Sequence, residues 1–257
     1  MLSCRADDAG GIVAAMIVLF TDFGLEGPYT GQMAAVLHQT APGVPVISLF
    51  ADLPPGQARP AAYLLAAYGK WFPPGTVLLC VVDPGVGSDR RALIVEADGR
   101  FYVGPDNGLF EIVLRRASHA RIWQISWRPP VLSASFHGRD LFAPVAARLA
   151  RGETSESLGQ ASQAAPQPSW PDDLAEIVYI DHYGNALTGL RGETTAPGAL
   201  VSAAGRVLAH AETFSAVPQG TAFWYVNSNG LVEIAVNQGR ADRELGLAIG
   251  ASIAIAG

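Results

Sequence analysis

Short apolar runs alternate with amphipathic segments over the first part of the chain. The runs have the length of buried strands, and the segments between them carry apolar residues at helical spacing. The run 76–82 is apolar after its first residue, which is typical of a central strand in a parallel sheet. This alternation predicts a layered, Rossmann-like α/β domain. The predicted strands are 17–20, 46–50, 76–82, 92–96 and 101–103, and the predicted helices are 31–39, 58–71, 107–116 and 140–150.

The pattern changes in the second part of the chain. Residues 153–172 are rich in Ser, Gln, Ala and Pro, which predicts a linker. Short apolar runs separated by turn residues follow, and Asn229-Gly230 is a hairpin signal between the last two. We therefore expect an α/β domain over residues 16–152 and a small C-terminal β-barrel domain, or a sandwich, over residues 173–257. The predicted strands there are 175–180, 199–201, 206–208, 222–226 and 231–236.

Residues 1–15 are predicted to form an extension before the first strand. Their acidic residues are unfavourable for a signal peptide, and the apolar run 12–20 is too short to span a bilayer. The two cysteines, Cys4 and Cys80, do not make a disulfide framework or a zinc site. We therefore expect a cytoplasmic protein that does not associate with membranes.

Composition and charge narrow the class of protein further. Hydrophobic residues make up 49% of the 257 residues, which is enough for a sizeable core. The net charge is −6 and Lys70 is the only lysine, so the basic face of a nucleic-acid-binding protein is not expected. Neither G-x-x-x-x-G-K-[ST] nor G-x-G-x-x-G occurs, so the sequence does not support binding of nucleoside triphosphates or dinucleotides.

Asp83, Arg90 and His137 lie where apolar stretches stop at polar, glycine-rich loops. A strand that ends in such a loop presents side chains at the edge of the sheet where α/β proteins bind ligands. A carboxylate, a guanidinium and an imidazole brought together there would position and polarise a water molecule. The alternative for the lone histidine is a structural role. The functional interpretation predicts hydrolysis without a metal ion or a covalent nucleophile.

Three further side chains follow predicted strands in the first domain. Asp22 comes directly after the first strand, and an ionised carboxylate there would accept bonds from both hydroxyls of a ribose. The alternative is a helix or turn cap. Asp106 and Asn107 precede a predicted helix and have the same two interpretations, capping or the floor of a pocket.

The second domain contains a polar turn after its first strand. Asp181 and Asn185 together would recognise the edge of a purine base through hydrogen bonds, and Tyr183 would stack on the face of that base. The alternative is an ordinary β-turn. The turn that contains Ser228 and Asn229 has the same alternative, because Asn-Gly is a preferred hairpin turn.

Taken together and in this order, the motifs resemble the S-adenosyl-L-methionine hydroxide adenosyltransferase family, relatives of the fluorinase and chlorinase enzymes. The resemblance covers about residues 16–255. It implies hydrolysis of S-adenosylmethionine to adenosine and methionine without a cofactor, and a homotrimer with active sites between subunits. The motifs that carry it are Thr21-Asp22-Phe23-Gly24, Val82-Asp83-Pro84-Gly85-Val86-Gly87 with Arg90, Gly104-Pro105-Asp106-Asn107-Gly108, Phe136-His137-Gly138-Arg139-Asp140, Asp181-His182-Tyr183-Gly184-Asn185 and Asn227-Ser228-Asn229-Gly230.

The resemblance also implies roles for individual residues. The family's water-handling triad falls on Asp83, Arg90 and His137, and which of Asp83 and His137 handles the proton stays open. Phe136 would line the pocket near the reacting carbon. The other implied contacts are Asp22 with ribose, Asp181, Tyr183 and Asn185 with adenine, and Ser228 and Asn229 with the methionine end.

The chain differs from its apparent relatives at several positions. The halogenases have a tyrosine at the position of Asp83 and a serine at that of Gly138, which favours water over halide as nucleophile. Many relatives have a His-Glu pair where this chain has Ala51-Asp52. The segment 25–29 lacks the acidic and hydroxyl residues that hold methionine in the halogenases.

Three alternatives to hydrolysis of S-adenosylmethionine stay open. One is a halogenase that uses S-adenosylmethionine, and another is a non-catalytic module that binds adenosine. The third is a metal-dependent phosphoesterase, although no second histidine lies at ligand spacing from His137. Its cation site would consist of Asp22, Asp83, Asp106 and His137.

Overall fold

The computed structural model describes residues 16–196 and 198–256, so the predicted extension 1–15 lies outside the described residues. The chain divides into two compact units between Gln167 and Pro168. The domain limits expected from the sequence, 16–152 and 173–257, stay predictions.

The first unit contains a mixed sheet of seven strands in the order β2-β1-β3-β5-β4-β6-β7. Strand β1 pairs in parallel with β2 and β3, and β3 pairs in parallel with β5. The pairs β4–β5, β4–β6 and β6–β7 are antiparallel. The strands are β1 (Ile17–Thr21), β2 (Val46–Phe50), β3 (Val77–Val81), β4 (Ala92–Ala97), β5 (Arg100–Pro105), β6 (Ala120–Ile125) and β7 (Gly159–Ala161).

Five helices accompany this sheet. They are α1 (Tyr29–Thr40), α2 (Ala58–Gly69), α3 (Glu111–Arg116), α4 (Ala143–Ala150) and α5 (Ser155–Leu158). Helices α1 and α4 contact each other, and α2 contacts α3. Apolar side chains of β1, β3, α1 and α4 form one buried core, including Leu19, Met33, Leu79 and Val145. A single π-helical turn, Gly138–Phe142, leads directly into α4.

The topology places the ends of β1 and β3 side by side. The two strands are parallel neighbours, and Thr21 lies opposite Val81. The chain leaves β1 for β2 on one side and returns to β3 on the other. This is the switch point at which open α/β sheets bind ligands. Asp22 and Asp83 follow the two strands and therefore lie at this edge.

The structure differs from the predicted elements at several places. The stretch 153–172, predicted as a linker, contains α5 and β7, and β7 pairs with β6. Helix α3 begins at Glu111 rather than at Asn107, because the Asn107 side chain accepts a bond from Leu109 N in a turn before the helix. Helix α4 is preceded by the π-helical turn, whereas a continuous helix from Asp140 was expected.

The second unit contains two antiparallel sheets. One has the order β12-β13-β9-β8 and the other β11-β10-β14. Isolated bridges join Glu176 to Ser252 and His210 to Trp224. Trp224 is fully buried in the core of this unit. The elements are β8 (Leu174–Ile180), β9 (Ala186–Arg191), β10 (Leu200–Ala203), β11 (Arg206–Leu208), β12 (Ala222–Val226), β13 (Leu231–Val236), a short helix α6 (Ala241–Glu244) and β14 (Ile253–Ala256).

The mixed sheet of the first unit and the antiparallel sheets of the second confirm the expected α/β fold class at this level of detail. None of the helices in the described part of the chain has the length and apolar character needed to cross a membrane.

Candidate active site

Arg90 joins Asp83 and His137 in the loops beyond β3. Its Nε donates to Asp83 Oδ1 at 2.8 Å, and its Nη2 contacts Asp83 Oδ2, so the pair is bidentate. The same Nη2 lies 3.0 Å from His137 Nδ1. Only 10% of the Arg90 side chain and 3% of the Asp83 side chain are exposed. The structure therefore brings together the three side chains that the sequence singled out, with Arg90 and Asp83 largely shielded from solvent and His137 partly exposed.

The contact with Arg90 fixes the tautomer of His137. A guanidinium group only donates hydrogen bonds, so Nδ1 accepts and the proton of a neutral imidazole is on Nε2. Burial lowers the pKa of His137, and the Arg90 cation lowers it further, although Asp83 and Asp140 act in the opposite direction. The neutral ring, with an Nε2–H donor, is the favoured state.

Glycine at position 87 allows the loop after β3 to approach the segment that carries His137. Gly87 has φ +81°, and a Cβ atom there would lie 2.6 Å from the carbonyl oxygen of Ala134. Ser88 Oγ donates to Gly85 O at 2.7 Å and closes the loop on itself. A larger residue at position 87 would push the two segments apart and separate Arg90 from His137.

A polar cavity of about 280 Å³ borders the triad. Arg90 and His137 form part of its wall, together with Gln124 and Arg128. Arg128 Nη1 donates to the carbonyl oxygens of Ile125 and Trp127, which holds its cation in place. The cavity is large enough for several water molecules. Water can therefore collect directly beside the imidazole and the guanidinium.

Asp22 lies at the same edge of the sheet. Its Oδ2 accepts a bond from Gly56 N at 2.7 Å. Burial raises the pKa of Asp22, backbone hydrogen bonds lower it, and the negative charge of Asp83 raises it. The bond from Gly56 joins residues 34 positions apart in the chain and is not a local helix or turn cap. The other oxygen of Asp22 can still accept a bond from a ligand hydroxyl.

Three aromatic rings pack against one another near Gly138, and those of Phe136 and Phe23 lie directly beside it. The ring of Phe136 lies 5.7 Å from that of Phe23 and 5.4 Å from that of Tyr29, in edge-to-face arrangements. A Cβ atom at Gly138 would lie 3.1 Å from Met33 Sδ and 3.2 Å from the Phe136 ring. The absence of a side chain at Gly138 lets these groups pack closely beside the triad.

Asp106 and Asn107 have structural partners. Arg91 Nη2 lies 2.5 Å from Asp106 Oδ2, and Asp106 Oδ1 accepts a bond from Ala165 N at 2.9 Å. Asn107 Nδ2 donates to Val82 O at 2.8 Å. The structural interpretation of both residues is therefore supported. The cation site considered above is not formed, since no three His, Cys, Asp or Glu side chains in residues 16–196 and 198–256 are placed to hold a metal ion.

The second unit contains a separate cavity of about 620 Å³. Asp181, Tyr183 and Asn185 lie in its wall. Asp181 accepts bonds from Asn185 N at 2.8 Å and from Asn185 Nδ2 at 3.0 Å, so the turn is rigid. Tyr183 is 73% exposed, which leaves its ring free to cover a ligand. Phe214, Tyr225, Val236, Gln238 and Gly239 complete the wall.

The turn 227–230 does not line this cavity, so Ser228 and Asn229 are not brought into it. Asn227 Oδ1 accepts bonds from Asn229 N and Leu231 N, which closes the turn. Glu233, a buried carboxylate that bonds both Asn227 and Tyr225, was not predicted from the sequence. A charged residue inside the otherwise apolar run 231–236 was the signal that could have revealed it.

Fold and site together define an α/β protein with a polar triad at the switch point of its sheet, followed by an antiparallel β unit. The chain matches the SAM hydroxide adenosyltransferase N-terminal domain over residues 17–159 and the C-terminal domain of the same family over residues 175–254. It therefore belongs to the SAM hydroxide adenosyltransferase family.

Similar proteins cover nearly the whole chain. A protein from Thermus thermophilus named (R)-S-adenosyl-L-methionine hydrolase is 41% identical over 90% of this chain and 95% of its own length. A protein of the same name from Salinispora arenicola is 37% identical over 86% of this chain and 90% of its own. The crystal structure of an uncharacterized conserved protein from Thermotoga maritima superposes with a TM-score of 0.86 at 30% identity, over 94% of this chain and 100% of that one.

The pKa of His137 gives a direct test of the site geometry. Nuclear magnetic resonance titration of the histidine rings is expected to give a midpoint for His137 below the ordinary value of about 6.5. Arg90→Gln is expected to raise that midpoint, because it removes a cation beside the ring. Arg121→Gln, which removes an arginine paired with Glu96 elsewhere on the sheet, is the control and should leave it unchanged. Equal midpoints in all three proteins would contradict the arrangement.

Proposed function

We propose that this protein hydrolyses S-adenosyl-L-methionine to adenosine and L-methionine by attack of water at C5′ of the ribose. The observation that carries the proposal is the shielded Arg90, which bonds Asp83 and His137 at the switch point of the sheet. Family membership and relatives named (R)-S-adenosyl-L-methionine hydrolase support the substrate. The relatives' name specifies the R form of the substrate, and we extend that preference to this chain.

Departure of the leaving group is the easy part of the proposed reaction. The new bond joins the water oxygen to C5′, and the C5′–S bond breaks with its electron pair going to sulfur. A sulfonium leaves as a neutral thioether, so no acid is needed. The difficulty lies with the nucleophile, because neutral water is weak. Catalysis must come from removal of a water proton and from alignment of the attack.

We assign the proton to Asp83 rather than to His137. The Nδ1 atom of His137 is occupied by Arg90, and its Nε2 carries a hydrogen, so the neutral ring orients the water oxygen by donating to it. Asp83 accepts two bonds from Arg90 and retains further lone pairs for a proton of that water. The Arg90 cation then stabilises the developing hydroxide. A general base of this kind contributes about 10²–10⁴-fold in rate.

We assign the other contacts with the substrate to the residues that the family resemblance implies. Asp22 bonds the ribose hydroxyls, and Phe136 lies beside the reacting carbon. The cavity with Asp181, Tyr183 and Asn185 takes the adenine, and its volume and exposed aromatic ring suit a flat base. Ser228 and Asn229 hold the methionine end. Alignment of two reactants can contribute about 7–11 kcal/mol to lowering the barrier, more than the base itself.

The antiparallel strands of the second unit are proposed to close into a barrel. Two isolated bridges support this, because Glu176–Ser252 links the edge at β8 to the segment just before β14, and His210–Trp224 links the segment after β11 to β12. We further propose a cytoplasmic homotrimer with active sites at the subunit interfaces. With only two cysteines, the chain shows no dependence on a set of disulfides, which suits the reducing conditions of the cytoplasm.

Isotope labelling tests the proposed reaction. The purified protein is incubated with both sulfonium epimers of S-adenosylmethionine in ¹⁸O-water, with a chelator, with and without chloride. We expect methionine and adenosine with ¹⁸O at C5′, unchanged by the chelator, with the R epimer consumed first. Asp83→Asn should lower the rate by about 10²–10⁴-fold, the contribution of a general base.

Other products of the same incubation would identify the alternatives. Chlorinated adenosine would assign the chain to the halogenases, and loss of activity with the chelator would favour metal-dependent chemistry, as in the phosphoesterase alternative. Tight binding of adenosine without turnover would leave a binding module.

Asp22 tests the placement of the ribose. Asp22→Asn keeps the shape of the side chain and removes its charge, so we expect kcat/KM to fall by about 10²-fold through misplacement of C5′. Asp172→Asn, at an exposed position of the second unit, is the matched control and should keep normal kinetics. Steady-state kinetics of both variants decide the assignment, and normal kinetics in Asp22→Asn would refute it.

The proposed trimer predicts a particle of three chains of 26.9 kDa each. Sedimentation equilibrium at several concentrations measures this mass directly. A mass that stays at one chain over the concentrations at which the protein is active would exclude active sites built between subunits.

A further inference from the structure

Glu233 is a buried carboxylate in the second unit that the proposed reaction does not use. It lies on β13 and is 4% exposed. Burial raises the pKa of Glu233, while hydrogen bonds from Tyr225 and Asn227 lower it and the negative charge of Asp181 raises it. Burying an ionised carboxylate costs free energy unless hydrogen bonds within the protein replace those it loses to water.

One oxygen of Glu233 holds a wall of the cavity. Tyr225 OH donates to Glu233 Oε1 at 2.6 Å, and the two residues lie directly opposite each other on β12 and β13. Tyr225 lines the 620 Å³ cavity together with Asp181 and Asn185. The ring of Tyr225 also lies 5.5 Å from that of Phe214, on the same wall. Glu233 therefore fixes the hydroxyl end of an aromatic side chain that faces the proposed adenine site.

The other oxygen of Glu233 holds the turn 227–230. Asn227 Nδ2 donates to Glu233 Oε2 at 2.7 Å. The opposite end of the same amide, Oδ1, accepts bonds from Asn229 N at 2.9 Å and Leu231 N at 3.1 Å. Rotation of this amide would turn its NH₂ group toward two backbone donors. The bond to Glu233 therefore keeps the Asn227 amide in the orientation that adds two bonds to the backbone hydrogen bonds of the turn.

A carboxylate suits this position better than any neutral side chain of the same shape. An ionised carboxylate only accepts hydrogen bonds, and Asn227 and Tyr225 both donate to it. A glutamine would offer one acceptor and one donor, so it could keep the bond from Asn227 only if the Tyr225 hydroxyl turned its hydrogen away and accepted a bond instead. The ionised carboxylate can therefore accept both bonds, and these bonds offset the free-energy cost of removing its charge from water.

We propose that Glu233 is a positioning residue that sets the distance between the adenine cavity and the turn carrying Ser228 and Asn229. Adenine and methionine are opposite ends of one substrate, and a rigid link between their binding sites would keep C5′ in line for attack. This inference rests on the proposed function, and on the assignment of Ser228 and Asn229 to the methionine end.

Glu233→Gln tests the link, with Glu96→Gln in the first unit as the matched control. We expect KM for S-adenosylmethionine to rise about tenfold in Glu233→Gln, as loss of a hydrogen bond to a charged group predicts. The dissociation constant of adenosine, measured by calorimetry, should rise less, because adenosine lacks the methionine end. The thermal unfolding midpoint should be unchanged, because the amide also removes the desolvation of a buried charge. Glu96→Gln should match the wild type throughout.

Tyr225→Phe provides a second test that leaves the carboxylate in place. It removes only the phenol hydroxyl, so it should weaken adenosine binding as Glu233→Gln does, and the double variant should lose no more than either alone. Unchanged KM and adenosine affinity in Glu233→Gln would overturn the inference. A lower unfolding midpoint with unchanged KM in Glu233→Gln would also overturn it, because that result indicates a purely structural role.

The wild-type protein separates this inference from the proposed function. If it binds adenosine and turns over S-adenosylmethionine while Glu233→Gln behaves identically, only the positioning role fails. If it neither binds adenosine nor consumes the substrate, the proposed function fails and the positioning role fails with it.

Discussion

The buried ion pair between Arg90 and Asp83 is the interaction on which the candidate site depends. Both side chains are largely shielded, and removing one partner of such a pair typically costs about 3–5 kcal/mol because the other charge is left uncompensated. The Arg90 guanidinium also lies 5.2 Å from the centre of the Phe142 ring, in the π-helical turn that follows His137. One cation thus fixes the loop after β3, the imidazole and the start of α4 relative to one another.

The sequence pattern predicts the buried, regular parts of this fold and misses its irregular edges. The apolar runs at 17–20 and 76–82 are confirmed as β1 and β3, since strands covered on both faces need continuous apolar residues. Strands β6, β7, β9 and β14 were not predicted. Strand β7 has only three residues, and β9 contains Gly189, whose missing side chain makes room for Leu174 although glycine disfavours strands.

The residues of the site also divide into those that the sequence pattern predicted and those that it missed. Asp83, Arg90 and His137 were identifiable because each interrupts an apolar stretch at a glycine-rich loop. Their mutual hydrogen bonds, and hence the tautomer of His137, depend on how residues 47 positions apart meet in space. Glu233 was missed for the opposite reason. Within the run 231–236 its charge suggests an outward-facing strand residue, whereas the structure buries it and satisfies both oxygens with Tyr225 and Asn227.

The loss of charge in the proposed reaction decides which groups of the site lower the barrier. S-adenosylmethionine carries one net positive charge, and its sulfonium becomes a neutral thioether as the C5′–S bond breaks. A carboxylate that attracts the sulfonium therefore stabilises the ground state more than the transition state, so it aids binding and not the attack. The Arg90 cation acts in the opposite sense, because it lies beside Asp83 and His137, where negative charge develops on the attacking oxygen. The cation that holds the site together is thus also placed to favour the transition state of the proposed reaction.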